Sequence, residues 1–181
     1  YKNDDANAER IRSGWYWTGD LGYRDDQGYF YFAGRDFEWL RVDGENFSAA
    51  PIERILARHP AVILAAVYAV PDEEVGDQVM AALELRPDSD LTPLMLDEFL
   101  EQQGDLGTKW SPRYVRITES LPVTETKKIL KKQLRQHYWQ GNDQIWWRPK
   151  RNQPLQPMSE NDRIHLTNIF SEQGRLSSLA L

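Results

Sequence analysis

Nine consecutive residues without a charge, Val62 to Val70, stand between His59-Pro60 and Pro71-Asp72. A run of this length is too short to cross a bilayer, which takes about 20 apolar residues. It lacks the apolar–polar alternation of a strand with one wet face, so it reads as a strand buried in a domain interior. Such a strand is stable only with other elements packed around it, and the flanking sequence supplies them.

Ahead of it, Ser48 to Arg58 predicts a helix, with Ser48 as the cap, Pro51 in the first turn and Ile52, Ile55 and Leu56 on one face. Pro60 stops that helix, because the residue before a proline is pushed out of helical geometry. Further on, Gln78 to Arg86 predicts a second buried strand and Thr92 to Gln103 a helix through Leu96, Phe99 and Leu100. Tyr114 to Ile117 predicts a short strand, and Ile129 to Gln140 a basic helix with Ile129, Leu130 and Leu134 inward. Nearer the start, Asp25-Asp26-Gln27-Gly28 marks a turn, and the strand-forming Tyr29 to Phe32 is interrupted by Gly34-Arg35. Residues 38–42 predict another strand, closed by the turn dipeptide Asp43-Gly44. Beyond Gln140 the pattern weakens into a Trp- and Pro-containing segment, then a helix over Glu160 to Phe170. The expected fold class is α+β: a small mixed sheet with helices packed on it, preceded by a small β-hairpin.

Composition removes several functions. The chain has 181 residues and no Cys, which excludes disulfides, thiolate metal sites and a Cys nucleophile. Its three His are scattered, so no histidine-based metal centre is expected. A net charge of −6 disfavours nucleic acid as a partner. Tyr1 stands where a complete chain would have Met, and the sequence reads as a fragment of something longer.

Three constellations could carry chemistry, and each also has a plain structural reading. In Trp17-Thr18-Gly19-Asp20-Leu21-Gly22, a glycine beside a carboxylate allows close approach to a ligand, and the carboxylate can accept two hydrogen bonds from a ribose diol. An ordinary turn with a capping Asp has the same composition. Gly34-Arg35, followed by Gly44-Glu45-Asn46, pairs a planar cationic fork with a glycine that admits a bulky ligand; a surface Arg and a turn glycine look identical. Leu121-Pro122-Val123-Thr124-Glu125-Thr126-Lys127-Lys128-Ile129-Leu130-Lys131 is a Thr-rich loop feeding lysines, able to set an ammonium against an anion or simply to start a solvated helix. Cations at a helix start oppose its dipole, at a cost of a few tenths of a kcal/mol each, roughly.

Order and spacing join these pieces. Trp15-Tyr16-Trp17-Thr18-Gly19-Asp20-Leu21-Gly22, Asp26-Gln27-Gly28-Tyr29-Phe30-Tyr31, Gly34-Arg35 and Val42-Asp43-Gly44-Glu45-Asn46 come in sequence. Pro51-Ile52-Glu53, His59-Pro60, Val67 to Asp72, Gly76-Asp77, Pro112-Arg113 and Leu121 to Lys131 follow. Over about residues 14–138 the series resembles the adenylate-forming (AMP-binding) superfamily of acyl-CoA synthetases, peptide-synthetase adenylation domains and beetle luciferases. Arg41 to Ser48 is similar to the R-x-K-G-E-N-V-S phrase of the fatty-acid transport protein and very-long-chain acyl-CoA synthetase branch, and Ile145-Trp146-Trp147 with Pro154 to Asp162 resembles its tail.

The resemblance implies the C-terminal lid of a fatty-acyl-CoA synthetase using ATP, Mg2+ and CoA. Residues 1–34 would be the end of a large N-terminal domain and a connector hairpin, 35–140 the lid, and 141–181 an extension. Asp20 and Arg35 would contact the nucleotide, and Lys128 would bridge carboxylate and α-phosphate oxygens during adenylation. Gly44, Glu45 and Asn46 would lie near CoA, with the hinge at Asp36 and Phe37. The family's usual Thr-Gly-Lys, or Thr-Phe-Lys in that branch, reads Thr126-Lys127-Lys128 here, so Lys127 departs from the pattern. The expected partners are the missing N-terminal domain, fatty acid and CoA, with no metal site in this chain and no activity of the fragment alone. The expected location is cytoplasmic, with peripheral membrane association open. The alternatives are the lid of another adenylate-forming enzyme, such as an aryl or short-chain CoA ligase or a peptide synthetase, or a non-catalytic module binding anionic lipid through its basic run.

Overall fold

A computed structural model describes residues 11–35, 39–74 and 76–179. Three small antiparallel hairpins lead the chain: β1 (Ile11–Arg12) with β2 (Trp15–Tyr16), β3 (Asp20–Arg24) with β4 (Phe30–Arg35), and β5 (Trp39–Val42) with β6 (Glu45–Ser48). Helix α1 (Ala49–Leu56) follows, then strands β7 (Val62–Pro71) and β8 (Asp77–Leu85), helix α2 (Pro93–Glu101), strand β9 (Tyr114–Thr118) and helix α3 (Lys131–His137). The last third adds β10 (Gln144–Trp147), β11 (Gln156–Pro157), helix α4 (Glu160–Glu172) and a 3-10 turn at Leu176–Leu179.

The five later strands form one sheet in the order β11-β10-β9-β8-β7. Only β8 and β9 run parallel, Met80 opposite Tyr114, and the chain between them crosses over through α2. Every other pair is antiparallel, so the sheet is mixed, as expected.

Both faces of this sheet are covered, which is why the 62–70 run is apolar throughout its second half. Val67, Val79, Ala81, Leu83, Val115 and Trp146 pack against Leu40, Ile52, Ile55, Leu56, Leu96 and Leu100, from β5, α1 and α2. Their sequence neighbours Ala66, Tyr68, Val70, Met80, Ala82, Tyr114, Ile145 and Trp147 point the other way, onto Leu134, Trp139, Leu166 and Phe170 from α3, α4 and the loop between. The early part of the run is different, since Ile63 and Leu64 are exposed.

Helix boundaries follow their caps. The Ser48 hydroxyl accepts the Ala50 N–H at 3.4 Å, and the Thr92 hydroxyl accepts the Met95 N–H at 3.2 Å just ahead of Pro93. Ser159 and Asp162 form a reciprocal capping box at the start of α4.

Two expectations need correction, and two further segments form strands that the sequence did not announce. Gly34-Arg35 does not interrupt its strand: β4 runs through both residues, with the irregularity placed opposite, at Leu21/Gly22. Glu45 to Ser48 is a strand, paired back onto β5. The basic helix spans only 131–137, because Ile129 is held in a β-bridge with Val123. The weak segment after Gln140 contributes β10 and β11, with Trp146 and Trp147 both buried.

Candidate functional site

The candidate residues sit on three hairpins. The first is β3–β4. Asp20 and Arg35 are direct partners across it, and the Asp20 N–H is held by the Thr18 hydroxyl at 3.0 Å. Its tip is fixed by Asp25, whose carboxylate accepts the N–H of Gln27 and Tyr29 and the Tyr31 hydroxyl at 2.8 Å. The Tyr31 hydroxyl holds the Asp25 carboxyl below its usual range, and Tyr31 is itself pushed up by the carboxylate. The two nucleotide candidates, fifteen positions apart in sequence, thus share one rung of a ladder. Asp36 and Phe37 lie outside the described residues.

The second is β5–β6, turned by Asp43 and Gly44 at φ +48° and +77°. Two successive left-handed residues make the tight hairpin turn that Asp-Gly favours. A Cβ at Gly44 would meet no atom within 4 Å, so the backbone there is open to a ligand, although any other residue would be strained. Glu45 pairs with Val42 and Asn46 with Arg41, so the three CoA candidates are consecutive, Gly44 in the turn and the other two at the start of β6. The Lys109 ammonium donates to the Asp43 carbonyl at 3.1 Å and lies 3.8 Å from the Glu45 carboxylate, and Arg151 forms an ion pair with Asp43. Nothing in the sequence marked Lys109 or Arg151 as partners of this turn, because they lie more than sixty residues away from it.

The third hairpin carries Lys128. Val123 and Ile129 pair, Leu130 N–H donates to the Pro122 carbonyl at 2.8 Å, and Thr124 N–H donates to the Lys128 carbonyl at 2.8 Å. Lys127 N–H closes a turn onto the Thr124 carbonyl at 2.8 Å, and Lys127 itself sits at φ +59°. This is the three-residue loop whose last position is left-handed and suits glycine. The geometry therefore accounts for the glycine of the family pattern and for the strain accepted by Lys127 here. The Thr124 hydroxyl accepts the Lys128 N–H at 3.0 Å and contacts the Thr126 hydroxyl at 2.9 Å. Lys128 is exposed beside this knot, and its ammonium makes no ion pair among the described residues.

Two carboxylates hold this hairpin, and sequence reasoning gave neither a role. Glu84 on β8 accepts the Leu121 N–H at 2.9 Å, and Glu53 on α1 pairs with the Lys131 ammonium at 2.8 Å. Glu53 belongs to the Pro51-Ile52-Glu53 motif, which was the available signal; Glu84 had none. Among the described residues no group of three His, Cys, Asp or Glu side chains is placed to hold a metal ion. No helix there is long and apolar enough to cross a membrane.

A mixed sheet thus lies between two helical layers, and three hairpins carry the candidate residues. Residues 51–128 match the AMP-binding enzyme C-terminal domain, and the chain belongs to that family. It is 49% identical over 176 residues to the steroid-22-oyl-CoA synthetase of Rhodococcus jostii, covering 97% of this chain and 32% of that protein. It is 51% identical over 146 residues to the medium/long-chain-fatty-acid–CoA ligase FadD17 of Mycobacterium marinum, covering 81% of this chain and 29% of that one. Among solved structures, the Bacillus subtilis o-succinylbenzoate-CoA synthetase with its acyl-adenylate intermediate superposes with a TM-score of 0.58 at 28% identity, over 79% of this chain and 28% of that chain. The chain thus spans about a third of the length of the relatives it matches.

Proposed function

We propose that this chain is the lid of an AMP-forming ligase that joins a fatty acid to CoA. In the first half-reaction the fatty carboxylate attacks the α-phosphate of ATP and pyrophosphate leaves. In the second, the CoA thiol attacks the acyl carbon and AMP leaves. ATP with its Mg2+ would be held mainly by the remainder of the enzyme. Asp20 and Arg35 contribute ribose and phosphate contacts from their shared rung. Lys128 sets its ammonium against the oxygens that gain charge as the adenylate forms. After the lid turns, the open backbone at Gly44, flanked by Glu45 and Asn46, borders the pantetheine arm. The pivot is placed at Asp36 and Phe37.

The observation that carries this reading is the Lys128 hairpin. Lys128 has its N–H bonded to the Thr124 hydroxyl and its carbonyl bonded by the Thr124 N–H, so its backbone is fixed where a solvated helix start would be free, while the equally exposed Lys127 occupies the left-handed turn position. The same geometry weighs against an anionic-lipid module, because Lys131 is drawn onto Glu53 and the basic run is not one free face. The large N-terminal portion as partner is supported by the exposed aromatics Trp15, Trp17, Tyr23, Tyr29 and Phe30 on the leading hairpins, a surface suited to burial.

A second reading concerns the acid. The likeness to the steroid-22-oyl-CoA synthetase runs through the final segment to 97% of this chain, whereas the fatty-acid ligase match covers 81%. A steroid side-chain carboxylate is therefore the competing substrate, and a very-long-chain acid has no comparable support.

The test is Lys128→Ala in the complete enzyme, with each half-reaction followed separately. Adenylation is expected to fall by about a hundredfold or more, the scale of losing one preorganised charge. Thioester formation from preformed acyl-adenylate should persist. Equal loss in both halves would remove Lys128 from the assigned role, and Lys127→Ala alongside discriminates between the two lysines.

A further inference from the structure

We propose that Glu53 is a positioning residue for Lys128, acting through its ion pair with Lys131. The inference rests on the reading of Lys128 as the adenylation lysine. The hairpin over residues 122–130 has little of its own to hold it still. Its tip, Glu125 to Lys128, is exposed, Val123 is exposed, and a hairpin this small is marginal alone. Its position is set from outside. The incoming arm is tied where Leu121, a buried residue, gives its N–H to Glu84 at 2.9 Å.

The outgoing arm leads straight into α3, whose N-cap is Leu130 and has no side-chain cap bond. What holds it is Lys131. Its ammonium lies 2.8 Å from Glu53 Oε1, with side-chain exposures of 12% and 23%, so the pair is largely withdrawn from water and less screened than a surface bridge. The same oxygen accepts the Val67 N–H at 2.7 Å. Val67 lies on β7, which has a sheet neighbour on one side only. Glu53 thereby references the hairpin to the rigid sheet edge, three residues from Lys128. A cation in the first turn of α3 is unfavourable by itself, and the Glu53 carboxylate offsets that cost for Lys131.

An ammonium that must meet developing charge tolerates little displacement, and a shift of about 1 Å can cost about a hundredfold in rate. The experiment uses the complete enzyme with Lys131→Met, Glu53→Gln, the double variant and Lys131→Arg. Glu53→Gln keeps an acceptor for the Val67 N–H while removing the charge. Lys131→Met and Glu53→Gln are each expected to lower adenylation kcat by about 10- to 100-fold, with thioester formation from preformed acyl-adenylate changed by less than about twofold. The double variant should be no worse than the worse single one, since both remove one pair, and Lys131→Arg should restore most of the rate. Hydrogen exchange of peptide 121–131 should quicken in Lys131→Met. Unchanged adenylation, equal loss in both half-reactions, or unchanged exchange in that peptide would each overturn the proposal. Lys128→Ala separates the two ideas. If that variant adenylates normally, the Lys128 reading fails by itself, while the exchange data still decide whether the Glu53–Lys131 pair holds the hairpin.

Discussion

Lys127 holds a backbone conformation that its side chain disfavours, at φ +59°. A non-glycine residue there costs about 1–2 kcal/mol, partly offset by the freedom a glycine would lose on folding. Lys127→Gly is therefore expected to stabilise the protein by about 0.5–1 kcal/mol in urea unfolding, whereas Lys127→Ala leaves the strain in place. At this scale the sequence was most informative about positions whose backbone demands a residue type. Asp43-Gly44 announced its turn, and the departure at Lys127 fell on the one loop position where geometry favours glycine. Glu53, Glu84, Lys109 and Arg151 were not legible, because a charged residue reads the same whether it faces water or a partner brought from elsewhere in the chain.

Among elements, α2 is tied to the last third of the chain by one side chain. Asp97 is buried, forms an ion pair with Arg148 and accepts the Leu155 N–H at 2.5 Å. In sequence it sits inside Leu94 to Leu100 as the polar interruption of a helix, with nothing to distinguish it from the exposed Glu98. Asp97→Ala strands a mostly buried guanidinium and a buried N–H, and is expected to cost about 3 kcal/mol, measured by urea unfolding. Asp97→Asn should cost less, since it still accepts a bond. Helices with apolar periodicity and a side-chain cap came out within about two residues of their predicted ends, an ordinary boundary error. The uncapped α3 lost residues at both ends, two at its start, where hairpin pairing of Ile129 won, and three at its end, where Tyr138 turns to φ +40°. Strand β10 was missed for a related reason: four residues carry little periodic signal, and its pairing to β9 joins positions about thirty apart.

The whole molecule has a sheet whose two faces are buried under separate helical layers, and β10 with β11 widens it using residues beyond 140. The last third thus contributes to both cores through Trp146, Trp147, Leu166 and Phe170. We expect this chain alone to form no acyl-adenylate from ATP and palmitate, because the proposed role leaves ATP and Mg2+ mainly to the remainder of the enzyme. Pyrophosphate release at a rate comparable with a full-length ligase would overturn that view.

The sequence by itself determined the α+β class, the strand over 62–70 whose second half is buried, the hairpin turns and the order of motifs that marks the family. Each depends on local preference or on linear spacing, which a single chain records directly. Only the tertiary structure decided that Asp20 stands opposite Arg35, that Lys109 and Arg151 meet the Gly44 turn, and that Glu53 and Glu84 hold the Lys128 hairpin. Those contacts join residues distant in sequence, and charge or hydroxyl alone does not say which partner folding will bring within 3 Å.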